Sequence, residues 1–230
     1  MASRAVTRAL VIAVLAGVPA ACSHAPSREL VQDYGHWNES PRRFGVCMGY
    51  GCAEMHMTGL SDAEWAAVRE IFGKPEDAAA ERAAIARAIG LIERIVGPKT
   101  GSDSDAPGAA IVNFRRQGQM DCIDEAFNTT TYLRFLAQDG LLRHHAVGLP
   151  VRRGSFIDRW PHNAATITET GGEQATYVVD SWFHGNGVPA EVAPLDDWMA
   201  GWSPDRGLTL AEWEAIAGEG QARAAAGGAQ

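Results

Sequence analysis

Apolar residues recur along this chain with two different periods, and the change from one to the other falls after Gly140. Upstream the spacing is helical. Trp65, Val68, Ile71 and Phe72 form one stripe, opened by Ser61 and Glu64 as the two halves of a capping box and ended near Gly73. Ile85, Ile89, Ile92 and Ile95 form a second, predicting a helix that opens after Pro75 and runs to about Val96, where Gly97-Pro98 stops it. A third helix starts at Asp121, turns Ala126, Leu133, Leu136 and Ala137 inward and stops at Gly140. Beyond it the pattern predicts strands around Leu142 to Val151, over Ala164 to Glu169 and over Ala175 to Asp180, with Gly171-Gly172 as a hairpin turn. Thr209 and Glu212 cap a further short helix. Helices first and strands later, without regular alternation, predict an α+β fold rather than a doubly wound sheet.

The ends of the chain read differently. Arg4 and Arg8 precede the apolar run Ala9 to Val18 and the small residues Pro19-Ala20-Ala21-Cys22, the pattern of a secretory signal over residues 1–21. That run is far shorter than the roughly 20 residues a spanning helix requires. A Cys at the cleavage point resembles a bacterial lipoprotein signal, which predicts lipid on Cys22, a membrane anchor and a location on the periplasmic face of the cell envelope; Pro19 stands where Leu is usual. Residues 22–45 then form a tether leading into a single domain over 46–217, and the Ala/Gly-rich residues 218–230 form a disordered tail. The formal charge is -8. Without Arg4 and Arg8 it becomes -10, from 18 basic and 28 acidic residues, and no dense Lys/Arg run offers a nucleic acid its phosphate contacts.

Four cysteines are too few for a disulfide scaffold, and their positions divide them among separate tasks. Cys47 and Cys52 bracket Met-Gly-Tyr-Gly, where the glycines permit a turn that brings the sulfurs together; an oxidising compartment favours a local disulfide. The alternative is a soft-metal site, because Met48, Met55, His56 and Met57 surround the pair. No second Cys or His cluster at ligand spacing accompanies it, so no metal and no cofactor is assigned.

Cys122 is left without a partner. It falls in the first turn of a predicted helix, where free amides and the helix dipole favour a thiolate, but the dipole is worth only about 0.3–1 kcal/mol and Asp121, Asp124 and Glu125 oppose it. A cationic partner is needed. His162 stands at the entrance to one predicted strand and Asp180 closes the next; their index sum of 342 centres the hairpin on Gly171 and puts both side chains on one face. Asp180 then holds one ring nitrogen while the other meets Cys122. The oxyanion of an acyl-transfer step calls for the Cys122 backbone amide, with Gln119 or Gln117 as a side-chain donor. Trp160 and Trp182 flank the two positions and are candidates to line an acyl cleft, although core packing is the commoner role of such residues.

Cys122 opening a helix, His162 about forty residues on, and Asp180 followed by Ser181-Trp182 resemble the transglutaminase-like branch of the papain-like cysteine hydrolases. The resemblance covers roughly residues 115–185. It implies a Cys-bearing helix packed on a small antiparallel sheet, with the amino-terminal helices as additions, and thiol-dependent hydrolysis or acyl transfer on a peptide or amide, including a peptide of the cell wall. In this group an aromatic residue often follows the His, whereas Asn163 does so here, which leaves the substrate class open. The competing expectation is a catalytically inactive relative that serves the envelope as a binding or scaffold module. His144-His145 supplies the rival base, with one ring packed and the other solvated.

Overall fold

The computed structural model describes residues 26–35, 40–109, 117–155 and 159–227. The segment expected to be a secretory signal and Cys22, expected to carry lipid, lie outside these residues. The observed architecture is α+β. Helix α1 (Pro26–Tyr34) is followed by a hairpin of β1 (Phe44–Met48) and β2 (Glu54–Thr58), then by α2 (Asp62–Phe72), α3 (Ala78–Thr100) and α4 (Cys122–Gln138). Strands β3 (His145–Val147), β4 (Val151–Ser155), β5 (Arg159–Glu169), β6 (Thr176–Asp180) and β7 (Glu191–Pro194) come next, with α5 (Leu195–Ala200) and α6 (Leu210–Gly227) last. The larger sheet is antiparallel in the order β3-β5-β6-β7, with β4 also on β5.

Helix α4 is the centre of the molecule. It is buried almost all round, from Asp124 to Leu136, between α1 and β1 on one side and β5 and β6 on the other. Phe127, Leu133, Phe135 and Leu136 are fully covered, as are Ile85, Ile89 and Ile92 of α3. Such burial also encloses Thr129, Thr130 and Thr131, an unusual β-branched run for a helix. Buried hydroxyls need partners. Thr130 Oγ1 donates to Ala126 O at 2.6 Å and Thr129 Oγ1 lies 3.0 Å from Ser181 Oγ. The second of these ties the middle of α4 to the residue that follows β6.

The sheet separates two layers. Ala165, Ile167 and Val179 face α4 in the main core, while Ala164, Val178 and Ala193 face a smaller cluster around the fully buried Trp198 of α5. Ala165 pairs with Val179, an index sum of 344 rather than 342. The turn is thus centred one residue later than expected. Because the sum changed by two, face parity is preserved, and His162 and Asp180 are diagonal neighbours on one face instead of directly opposed.

Several boundaries differ from expectation. Helix α3 runs through Gly97 and Pro98 to Thr100, and its stop is Gly101 in the left-handed conformation. Gly97 serves packing instead: a Cβ there would lie 2.7 Å from Asn186 Nδ2 and 2.9 Å from Asp103 Cα. Pro98 sits in the last turn and lacks the N–H that would bond the carbonyl four residues back, so close packing at Gly97 accompanies the missing bond. The tether contains α1, whose Val31 is buried with Cys47 and Phe127. The expected strand over 142–151 is divided into β3 and β4, interrupted where Gly148 N donates to Thr166 O. Strand β5 begins at Arg159, so His162 is its fourth residue rather than its entrance. Helix α6 continues through the Ala-rich segment to Gly227, as Ala, the best helix former, permits.

Candidate active site

Cys122 is the first residue of α4, and the helix start beneath it is bound on every side. Asp121 Oδ1 accepts from Ile123 N and Asp124 N, both at 3.0 Å, and Asp124 Oδ2 accepts from Asp121 N at 3.1 Å, a reciprocal capping box. The same two carboxyl groups receive the turn of the β1–β2 hairpin. Tyr50 N donates to Asp124 Oδ2 at 2.9 Å, Gly51 N to Asp121 Oδ1 at 3.1 Å and Cys52 N to Asp124 Oδ1 at 2.6 Å.

The turn that aims these amides has four consecutive left-handed residues, Gly49, Tyr50, Gly51 and Cys52, with φ of 79°, 72°, 67° and 58°. Such a run of amides forms a concave anion nest, here filled by the protein's own acids. The glycines adopt it freely, whereas Tyr50 and Cys52 each cost about 1–2 kcal/mol. Three hydrogen bonds at about 0.5–1.5 kcal/mol each roughly offset that. The balance is settled by the Cys47–Cys52 disulfide, which closes the turn. With both sulfurs so joined, neither is a thiolate for a soft metal, and among the described residues no group of His, Cys, Asp and Glu has metal-binding geometry.

The Cys122 thiol is free and half-buried. Within reach of it is the imidazole of His162, which is 5% exposed and whose pKa responds to Cys122. His162 Nε2 lies 2.7 Å from Asp180 Oδ2, and the Trp198 indole donates to the same oxygen at 2.9 Å. Rings of Trp182, Phe183 and Trp198 surround the imidazole at centroid distances of 4.5, 5.3 and 5.4 Å. His162 Nδ1 has no hydrogen-bond partner among the described residues. Burial by itself pulls the imidazole pKa down, but the charge and hydrogen bond of Asp180, helped by Cys122, outweigh it and raise it to about 9. A pKa of about 9 favours the protonated ring near neutrality, with Nε2 on Asp180 and Nδ1 carrying a second N–H without a partner.

A polar cross-tie holds the two halves of the site together. Ser181 Oγ, next to Asp180, donates to Glu125 Oε2 of α4 at 2.6 Å. Glu125 is fully enclosed, and burial followed by the charge of Asp180 raises its pKa to about 7 in spite of that hydrogen bond. Burial and the charge of Asp121 raise Asp124 to about 8. The acids beside Cys122 therefore oppose a thiolate less than their number implies, because two of them are largely or half protonated near neutrality.

Cys122, His162 and Asp180 come together; Gln119 does not join them. Its amide is spent on the 101–109 loop, with Nε2 donating to Ser104 O at 2.8 Å and Oε1 accepting from Ala106 N at 3.2 Å. It is a loop clamp, and the oxyanion role expected for it is withdrawn. Trp182 packs on the imidazole and donates its indole N–H to Ala109 O at 2.8 Å. The side chain of Trp160 lies outside the described residues. Sequence reasoning gave neither the bond of Trp198 to Asp180 nor a role at the thiol for Asn163. Asn163 Nδ2 donates to Cys122 Sγ at 3.5 Å, and its Oδ1 accepts from Ser27 Oγ of α1 at 3.4 Å. Its signal was available: Asn163 shares the face of Ala165 and Ile167, where a polar residue is out of pattern.

No known protein family, curated protein or solved structure matches the chain. The functional reading therefore rests on the geometry of these side chains.

Proposed function

We propose that the protein is a cell-envelope thiol hydrolase or acyltransferase of transglutaminase-like, papain-like build that acts on a peptide or amide carbonyl. The observation that carries this reading is the imidazole of His162, bound by Asp180 through Nε2, left with an unpartnered Nδ1 and close enough to the free thiol of Cys122 to interact with it. The Cys122 thiolate attacks the carbonyl carbon and the C=O pair moves onto oxygen. Collapse of this adduct expels the amine, which takes the Nδ1 proton of His162 and leaves an acyl thioester on Cys122. Water or a second amine then attacks the thioester, giving its proton back to His162 and releasing the thiolate. Asp180 keeps the ring oriented and stabilises its charge. The chemistry needs no cofactor.

We place the protein on the periplasmic face, exported by the signal over residues 1–21 and anchored by lipid on Cys22. Ser27 contacts Asn163 at the site and is five residues from Cys22, a contour of at most about 18 Å. An anchor at Cys22 thereby keeps the thiol close to the membrane surface. Peptides at that surface, including those of the cell wall, are the substrates in reach.

The test is covalent. Treated with a peptidyl chloromethyl ketone, the protein is expected to gain one adduct at Cys122, seen by intact-mass and peptide mass spectrometry, and His162→Ala is expected to lose it. Equal labelling of both proteins, or none of either, would favour a binding or scaffold module.

A further inference from the structure

An acyl-transfer site needs donors at the place where the carbonyl oxygen becomes an anion. One is in position. The backbone N–H of Cys122 has no partner among the described residues, because Asp121 Oδ1 takes the amides of Ile123 and Asp124 instead. Gln119 is committed to its loop, so a second donor must come from elsewhere.

Asn163 meets the requirements. It is 3% exposed, and its Nδ2 is within donor distance of the nucleophilic sulfur. The amide nitrogen faces the sulfur, and Oδ1 faces away from it toward α1. Ser27 Oγ, itself fully buried, donates to that Oδ1 and holds the far end of the amide. Three elements thus converge on one sulfur: α4 carries the thiol, β5 the donor, and α1 the hydroxyl that orients the donor.

We propose that Asn163 is a catalytic residue, whose side-chain N–H contacts the Cys122 sulfur at rest and passes to the carbonyl oxygen as the C–S bond forms, completing an oxyanion hole with the Cys122 backbone N–H. The inference rests on the acyl-transfer reading above. As a sulfur lone pair forms the C–S bond, the C=O π pair becomes a third lone pair on oxygen; both amides donate to it and no proton moves. When the adduct collapses, the leaving group departs with the proton of His162, and the two donors return to a neutral carbonyl. Ser27 is a positioning residue.

The experiment compares two reactions of Cys122 in the full chain. Acylation by p-nitrophenyl acetate, followed as the p-nitrophenolate burst, passes through an oxyanion; alkylation by iodoacetamide does not. Asn163→Ala is expected to slow acylation about 100-fold. It should change alkylation less than about fivefold, because a thiolate with one donor fewer is scarcer but more nucleophilic. Asn163→Asp, isosteric but lacking the donor, should slow acylation at least as much and covers the case in which Asn163→Ala fails to fold. Ser27→Ala should give a smaller loss of acylation with alkylation again preserved. Parallel loss of both rates, or loss of neither, overturns the oxyanion role. If wild type is acylated and His162→Ala is not, while Asn163→Ala behaves as wild type, only this inference fails. If wild-type Cys122 resists acylation and His162→Ala alkylates at the wild-type rate, the acyl-transfer reading fails and the inference falls with it.

Discussion

Two buried histidines in the larger sheet are each paired with a buried carboxylate, and the two sites are built for different ends. His145 of β3 places Nδ1 3.0 Å from Glu81 Oε1, and the Arg82 guanidinium lies 3.3 Å from its Nε2. A guanidinium only donates, so Nε2 accepts and the ring carries its proton on Nδ1. Glu81 is further occupied by the amides of Arg143 and His144. Every polar atom of that ring is engaged, and the pair joins α3 to the sheet. His162 of β5 also has a carboxylate, but it keeps one ring nitrogen free of hydrogen bonds, and the ring is within reach of a thiol. A third pair, His184 with Glu191, follows the structural pattern, since Leu208 N donates to its other ring nitrogen at 3.1 Å. Pairing with an acid does not distinguish a catalytic histidine from a structural one; the state of the second nitrogen does.

The contrast is broken most directly by truncating each ring. His162→Ala is expected to slow acylation of Cys122 by about 10²–10⁴-fold. His145→Ala should leave that rate within about twofold yet reduce stability by about 1–3 kcal/mol, because Glu81 loses one buried hydrogen bond while keeping the amides of Arg143 and His144. Urea denaturation and p-nitrophenolate release measure the two effects, and any exchange of these outcomes would erase the distinction.

Titration sharpens it next. The His162 pKa is raised from 6.5 to about 9, so the stability it contributes is fully present below pH 6.5 and is lost as pH rises through about 9. The carboxyls behave in the same sense. Glu125, Asp124 and Asp105 are raised to about 7, 8 and 9, foremost by burial, so folding is favoured most below their unfolded values near pH 4 and weakens as pH climbs through 7 to 9. Thermal melts between pH 5 and 9 should show a melting temperature that falls steadily toward alkali. In His162→Ala the part of the slope between pH 6.5 and 9 should shrink, by an amount on the order of 3 kcal/mol. His145→Ala should keep it.

The smallest expected effect concerns the turn at the helix start. Replacing Cys47 and Cys52 together by Ser removes a six-residue closed loop, worth about 2 kcal/mol by chain entropy and a melting temperature lower by about 4–8 °C. Calorimetry of the double variant beside wild type measures it. The His145 region, which belongs to the other sheet, should retain its amide-exchange protection, whereas Tyr50 and Gly51 should lose theirs.

Local chemistry was legible in the chain. The capping boxes of Ser61 with Glu64 and Thr209 with Glu212 span three residues each and form as read. The cap at Asp121 does too, with Asp124 as its partner. The Cys47–Cys52 bridge was readable for the same reason, since two glycines and a short loop leave few other geometries. Face parity in the β5–β6 hairpin survived a turn centred one residue late, because the pleat repeats every two residues. Errors arose where distant contacts override local preference. Gly97 and Pro98 read as a helix stop, but Asn186 and Asp103 packed against Gly97 hold the last turn in place. Gln119 read as an oxyanion donor because of its distance from Cys122 along the chain, and the loop it clamps removed it.

By itself the sequence determined the helices and their caps, the α+β order of elements, the bridge, and which face of the hairpin carries His162 and Asp180. These depend on dihedral preferences, side-chain periods and contacts a few residues apart. Only the tertiary structure decided which histidine keeps a free nitrogen, which acids are buried enough to hold their protons, and that Ser27, Asn163 and Cys122 meet. Those outcomes depend on burial and on hydrogen bonds between residues as many as 136 positions apart, a separation that no local pattern encodes.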